Sequence, residues 1–78
     1  MPQSHTSRLA FIGGGNMARS LVGGLLARGT PVQSIRVAEP HAPTRDALAA
    51  DFGVPTFEHG AHAVVGADLV VLAVKPQV

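Results

Sequence analysis

Three consecutive glycines followed by a helix-forming run, Gly13-Gly14-Gly15-Asn16-Met17-Ala18, are the residues of this 78-residue chain best suited to do chemistry. Their chemistry needs no reactive side chain. The match Gly13-x-Gly15-x-x-Ala18 follows an apolar run, Leu9-Ala10-Phe11-Ile12, and precedes a helical pattern, the context in which such a loop binds the pyrophosphate of a dinucleotide. Gly13 permits the tight turn, Gly15 lets the backbone approach the phosphates, and Ala18 is small enough for helix to pack on strand. Unsatisfied N–H groups and the positive end of the helix dipole then face the ligand. Such a turn also suits a loop that needs only flexible residues, so the flanking elements carry the argument.

Those elements alternate. Leu9–Ile12 reads as a strand buried on both faces. From Asn16 the period changes: Met17, Leu21 and Leu25 form one i, i+4 row and Ala18, Val22 and Leu26 the next, the apolar stripe of a helix on a sheet. Arg28, Gly29 and Pro31 supply a C-terminal stop. Ile35 to Ala38 reads as a second strand, with Ile35 and Val37 on one face and Arg36 on the other. A second helix runs from Pro43 in its first turn to Phe52, with Ala47 or Leu48 and Phe52 facing inward and Gly53 ending it. Val54 to Phe57 is a weaker strand suited to an edge, because Pro55 cannot donate to a ladder. Gly60 to Gly66 has room for a short helix. Asp68 to Val74 is the most hydrophobic strand and is expected centrally, beside the first.

Strands alternating with helices give a parallel sheet with right-handed crossovers, so the fold class is α/β, a Rossmann-type sheet of strand order 3-2-1-4 truncated after its fourth strand. Residues 1–7 read as a flexible tail and 8–78 as an incomplete NAD(P)-binding domain. An apolar fourth strand ending four residues before the terminus predicts that the natural protein continues beyond Val78.

Composition narrows the function classes. Six Lys and Arg against five Asp and Glu give a formal charge of +1, with the basic residues scattered and only three aromatics, which argues against a nucleic-acid surface. With 46% apolar and 14% charged residues the chain is expected to be globular. There are no cysteines, hence neither disulfides nor thiolate ligands. Met1 to Ser7 lacks the pattern of a signal peptide, and the apolar run Leu69 to Val74 is far short of a membrane span, so a cytoplasmic protein is expected, with no membrane partner.

At the end of the second strand stands Glu39, 24 residues after Gly15, where an acid about 20 residues on binds the ribose hydroxyls of NAD. Taken alone it favours NAD. Pro40 follows it, however, and Arg36, His41 and Arg45 lie close enough in sequence to offer charge to a 2′-phosphate, so NADPH and NADH both stay open. Glu39 also admits the plainer reading of a solvated loop acid. His59-x-x-His62 lacks a third ligand at metal-site spacing and reads as two solvated histidines. Asp68 reads as a turn residue, and His5 as part of the tail. No metal ligand and no catalytic residue is assigned.

The string Phe11-Ile12-Gly13-Gly14-Gly15-Asn16-Met17-Ala18, with Gly23-Gly24-Leu25 in the helix and Ala73-Val74-Lys75-Pro76-Gln77 after the fourth strand, resembles the pyrroline-5-carboxylate reductases across residues 8–78. Asn16-Met17 is shared with 3-hydroxyacid dehydrogenases, and Gly-Gly-Leu with Val-Lys-Pro tips the choice. The resemblance implies hydride transfer from NADPH or NADH to 1-pyrroline-5-carboxylate, giving L-proline, by a homo-oligomer when full length. It implies that Gly13, Gly14, Gly15, Asn16, Met17 and Ala18 bind pyrophosphate, that Glu39 stands on the adenosine ribose side, and that Val74, Lys75 and Pro76 lie towards the nicotinamide. Lys75 is thereby given a positioning role. The family often has an asparagine on the adenosine side near the start of the helix before strand four; here Gly60 takes that place, preceded by His59. The C-terminal domain that forms the dimer and completes the substrate site is absent from the sequence, so the 78 residues alone are expected to be inactive. Two alternatives are another imine or 3-hydroxyacid oxidoreductase, and a non-catalytic dinucleotide-binding module.

Overall fold

A computed structural model describes residues 7–74. Lys75 and Pro76, two of the site residues expected from the sequence, lie outside the described residues, as do His5 and all of the expected tail but Ser7. The elements are β1 (Leu9–Ile12), α1 (Asn16–Ala27), a 3-10 turn (Val32–Ser34), β2 (Ile35–Ala38), α2 (Ala42–Phe52), β3 (Thr56–Phe57), α3 (Gly60–Ala63) and β4 (Leu69–Leu72). All pairings are parallel and the order is β3-β2-β1-β4, as the alternation predicts. Leu9 pairs with Ile35 on one side and Leu69 on the other, and Ile12 with Ala38 and Leu72.

Helix stops fall where local chemistry puts them. Beyond α1, the Gly29 N–H donates to the Leu26 carbonyl (3.0 Å) and the Thr30 N–H to the Leu25 carbonyl (3.0 Å), with Gly29 at φ +98°. This reciprocal pair is a Schellman cap, and the positive φ is why glycine stands there. Gly53 ends α2 at φ +72° in the same left-handed region.

Side-chain alternation along β1 and β2 divides the core between the two sheet faces. Phe11, Ile35 and Val37 bury against Ala18 and Val22 of α1 and Leu48 of α2, while Ala10 and Ala38 meet Ala63 of α3 on the opposite face. The outer side of α1 and the length of the third strand correct the expectations, and elsewhere the structure decides between readings that the sequence leaves open. The Met17, Leu21, Leu25 row is not wholly inward: Met17 is 60% and Leu21 43% exposed, because the sheet beneath contacts the Ala18, Val22 row, and only Leu25 of the row packs against the core, beside Leu26. On α2, Leu48 faces inward and Ala47 is exposed. The third strand is shorter than Val54 to Phe57, at Thr56–Phe57, and the short helix Gly60–Ala63 lies within the stretch that has room for one. The fourth strand lies beside β1 as expected and, as the order 3-2-1-4 implies, at the edge of the sheet among the described residues, with Leu69, Val70 and Leu72 exposed.

Glycine in α1 is not demanded by packing within the described residues. A Cβ on Gly23 would sit at ordinary contact distance, 3.6 Å, from the Phe52 ring, and one on Gly24 would meet nothing within 4 Å.

The two rows of α1 are told apart by stability. Leu48→Ala, at a core position 1% exposed, should cost about 2–5 kcal/mol, whereas Met17→Ala should change stability by no more than about 0.5 kcal/mol. Chemical denaturation followed by circular dichroism measures both; equal losses would put Met17 in the core.

Candidate functional site

Strand order reverses between β1 and β4, and at such a switch point an open parallel sheet leaves a crevice beyond the carboxyl ends of its strands. A cavity of about 570 Å³ lies there, within the range of small-molecule sites. Ile12 and Gly13 line it after β1, Ala38, Glu39 and Pro40 after β2, Glu58, His59 and Gly60 after β3, and Ala73 and Val74 after β4, with Gly15 beside them.

The loop is welded into this position by backbone bonds. The Gly13 N–H donates to the Ala38 carbonyl (2.8 Å), and the Ala73 N–H donates to the Ile12 carbonyl (2.8 Å), so both neighbouring ladders run on to the turn. The three glycines are then small for three different reasons. Gly13 has φ +104°, and a Cβ there would lie 2.8 Å from the Ala73 carbonyl oxygen. Gly14 is buried, and a Cβ would lie 2.7 Å from Leu48 Cδ1 and 3.1 Å from Glu39 Cβ. Gly15 is the exception: its φ of −76° suits any residue and a Cβ would meet nothing within 4 Å. Packing within the described residues leaves this glycine unexplained, whereas a ligand seated on the backbone explains it.

Gly15 is also the N-cap of α1, where no side chain caps the helix and no acid stands in the first turn. The first intrahelical bond to the loop is Arg19 N–H to the Gly15 carbonyl (2.9 Å). The N–H groups of Asn16, Met17 and Ala18 precede it in the helix and carry the positive end of the dipole.

Glu39 is half-buried and doubly engaged. Its Oε1 accepts the Gly14 N–H (2.7 Å) and its Oε2 the His41 N–H (2.9 Å), so one carboxylate ties the first βα loop to the second. The cations near it in sequence point elsewhere. Arg45 Nη1 donates to the carbonyls of Glu39 (2.9 Å) and Pro40 (3.5 Å), Arg36 donates to the Val65 carbonyl, and the His41 ring meets Thr44 Oγ1 (2.8 Å). Arg19 pairs with Asp51 and lies over the Phe52 ring at 5.2 Å.

Of the residues expected from the sequence, Gly13, Gly15, Glu39 and Val74 share the main cavity. Gly14, Gly15 and Asn16 line a smaller hollow of about 350 Å³ between α1 and α2, with Arg19 and Thr44. Met17 is exposed on the outer side of the helix and Ala18 is buried beneath it. Glu58, His59 and Gly60 form the wall after β3, the loop that the family resemblance puts on the adenosine ribose side, and the strand order marks every residue just beyond a strand as lining. His59 and His62 stand edge to face with ring centres 6.1 Å apart, and among the described residues no group of three or more His, Cys, Asp and Glu can hold a metal. Asp68, just before β4, accepts the Arg8 N–H (2.8 Å) and so ties the starts of β1 and β4 together. No helix among the described residues is long and apolar enough to cross a membrane.

Residues 8–78 match the family described as NADP oxidoreductase, coenzyme F420-dependent. The chain belongs to that family. It is also similar to proteins named pyrroline-5-carboxylate reductase: that of Pseudomonas aeruginosa is 53% identical over 92% of this chain and 26% of its own length, and that of Vibrio alginolyticus 47% identical over 90% and 26%. A solved pyrroline-5-carboxylate reductase from Coxiella burnetii superposes with a TM-score of 0.89 at 43% identity, covering 92% of this chain and 27% of that one. The chain therefore spans about a quarter of the length of the curated relatives it matches.

Gly13→Ala should lower stability by at least about 2 kcal/mol, since it adds left-handed strain to a clash with a backbone carbonyl. Gly15→Ala should lower stability by no more than about 1 kcal/mol, the cost of alanine at an N-cap, and weaken dinucleotide binding at least about tenfold. Paired denaturation and titration curves check both; a Gly15→Ala chain that binds as the wild type does would remove the ligand from this side of the loop.

Proposed function

We propose that this chain is the cofactor-binding part of a pyrroline-5-carboxylate reductase, holding NAD(P)H for reduction of 1-pyrroline-5-carboxylate to L-proline. Gly15 carries the reading, because its missing side chain opens on the cavity and serves no packing contact among the described residues. The names of the relatives at 47–53% identity give the reading its substrate.

On this reading the pyrophosphate lies over Gly15 against the N–H groups of Asn16 and Met17, where neither a cap nor an acid competes for them. Glu39 serves the adenosine ribose, and Val74 the nicotinamide side together with Lys75 and Pro76. Ala18 acts from beneath by letting α1 approach the sheet. When bound, the nicotinamide supplies the hydride; the protein supplies position and a site shielded on one side by Ile12, Ala38 and Ala73. The same reading makes the full-length protein a cytoplasmic homo-oligomer whose substrate site is completed outside these 78 residues.

Two measurements test it. The 78-residue chain should quench and shift nicotinamide fluorescence on binding yet oxidise no cofactor when pyrroline-5-carboxylate is added. Grafted in place of the matching segment of the Pseudomonas aeruginosa relative, it should restore turnover. A folded chimera that binds cofactor without reducing the substrate would favour a non-catalytic dinucleotide module instead.

A further inference from the structure

We propose that Glu39 makes this cleft select NADH over NADPH by occupying, with its own carboxylate, both the space and the hydrogen-bond donors that a 2′-phosphate would use. The inference rests on the dinucleotide reading above. It concerns a choice on which the family description, which names NADP, points the other way.

The donors come first. At the end of β2, the Gly14 N–H and the His41 N–H converge on Glu39, at 2.7 and 2.9 Å, one on each oxygen. A phosphate in this place would need such donors and finds them taken. An ionised carboxylate has about four lone-pair positions, so two N–H bonds leave room for two more donors. A ribose diol supplies those two, whereas a phosphate ester near neutral pH brings acceptor oxygens and about −1.5 to −2 of charge. The diol completes the set and the phosphate opposes it.

Charge points the same way. The main cavity has a second carboxylate, Glu58, in its wall, and among the described residues no Lys or Arg lines it. Arg45 gives its Nη1 to the carbonyls of Glu39 and Pro40, and Arg36 is held by the Val65 carbonyl. In the neighbouring hollow Arg19 is neutralised by Asp51. A group that merely braced the loops would affect both dinucleotides alike; one that stands in for a phosphate changes their ratio.

Titrating the 78-residue chain with NADH and with NADPH, for wild type and Glu39→Gln, reads that ratio directly. The wild type should bind NADH at least about tenfold tighter, and Glu39→Gln, which keeps an oxygen for the Gly14 N–H while losing the charge, should bring the two within about threefold by tightening NADPH. Equal or tighter NADPH binding by the wild type would overturn the proposal, as would an unchanged ratio in a Glu39→Gln chain whose circular dichroism and melting match the wild type. Should that variant not fold, the wild-type preference must narrow as salt rises from about 0.02 to 0.5 M, because partly exposed charges are screened, and a salt-independent ratio would overturn it. A folded chain that binds neither dinucleotide would overturn the proposed function itself, an outcome distinct from equal binding of both.

Discussion

The constraint on which the rest depends is the close approach of the first loop to the ends of both neighbouring strands. Gly13 gives its N–H to the Ala38 carbonyl while the Ala73 N–H reaches the Ile12 carbonyl, and the Ala73 carbonyl then passes so near Gly13 that no side chain fits. A turn of this tightness at φ +104° requires glycine. Once it is made, the next two residues have no freedom to choose their surroundings. Gly14 is pressed between Leu48 and Glu39, and Gly15 is turned out over the cavity to begin α1. Three identical residues thus answer to a backbone, a side-chain layer and an open cleft in turn.

What could be read from the sequence was what local chemistry decides. The glycine stops at Gly29 and Gly53 and the strands Leu9–Ile12 and Ile35–Ala38 coincide with their expected bounds, because caps and short apolar runs act within a few residues. Period alone told which residues of α1 share a row, and could not tell how far the sheet extends beneath them. Hence Ala18 and Val22 are buried while Met17 and Leu21 look outward. In the site, the glycine loop was legible because its meaning comes from the strand before it and the helix after it. The bond from Gly14 to Glu39 spans 25 positions and was not, since it exists only after β2 has been laid beside β1.

The two faces of the sheet solve the packing problem differently. Under α1 and α2 the contacts are made by Phe11, Ile35, Val37 and Leu48, long enough to fill the space between a sheet and helices of 12 and 11 residues. On the other face Ala10 and Ala38 meet Ala63, and small residues let the single turn of α3 lie almost on the strands. Its shortness follows: a four-residue helix cannot cover a thick layer, but it can bring its own N-terminal residues, His59 and Gly60, to the rim of the cleft. Gly60 is held close to Ile12, since a Cβ there would stand 3.2 Å from the Ile12 Cδ1, so at this point of the wall the helix backbone itself meets the strand.

Affinity and selectivity therefore rest on different chemical groups. On the dinucleotide reading, affinity comes from backbone N–H groups at the start of α1, which any sequence able to make the turn would present. Selectivity comes from one side chain, which also braces the loop it discriminates with. The two roles of Glu39 reinforce each other: each N–H bond that fixes the carboxylate lowers the entropy it would lose on receiving a hydroxyl, and each also removes a donor from a competing anion. Arg45 adds to this from behind, since its guanidinium holds the Glu39 and Pro40 carbonyls and so fixes the backbone that carries the acid. The positive charge supports the loop instead of facing the cleft, and the acid is left to define what the cleft accepts.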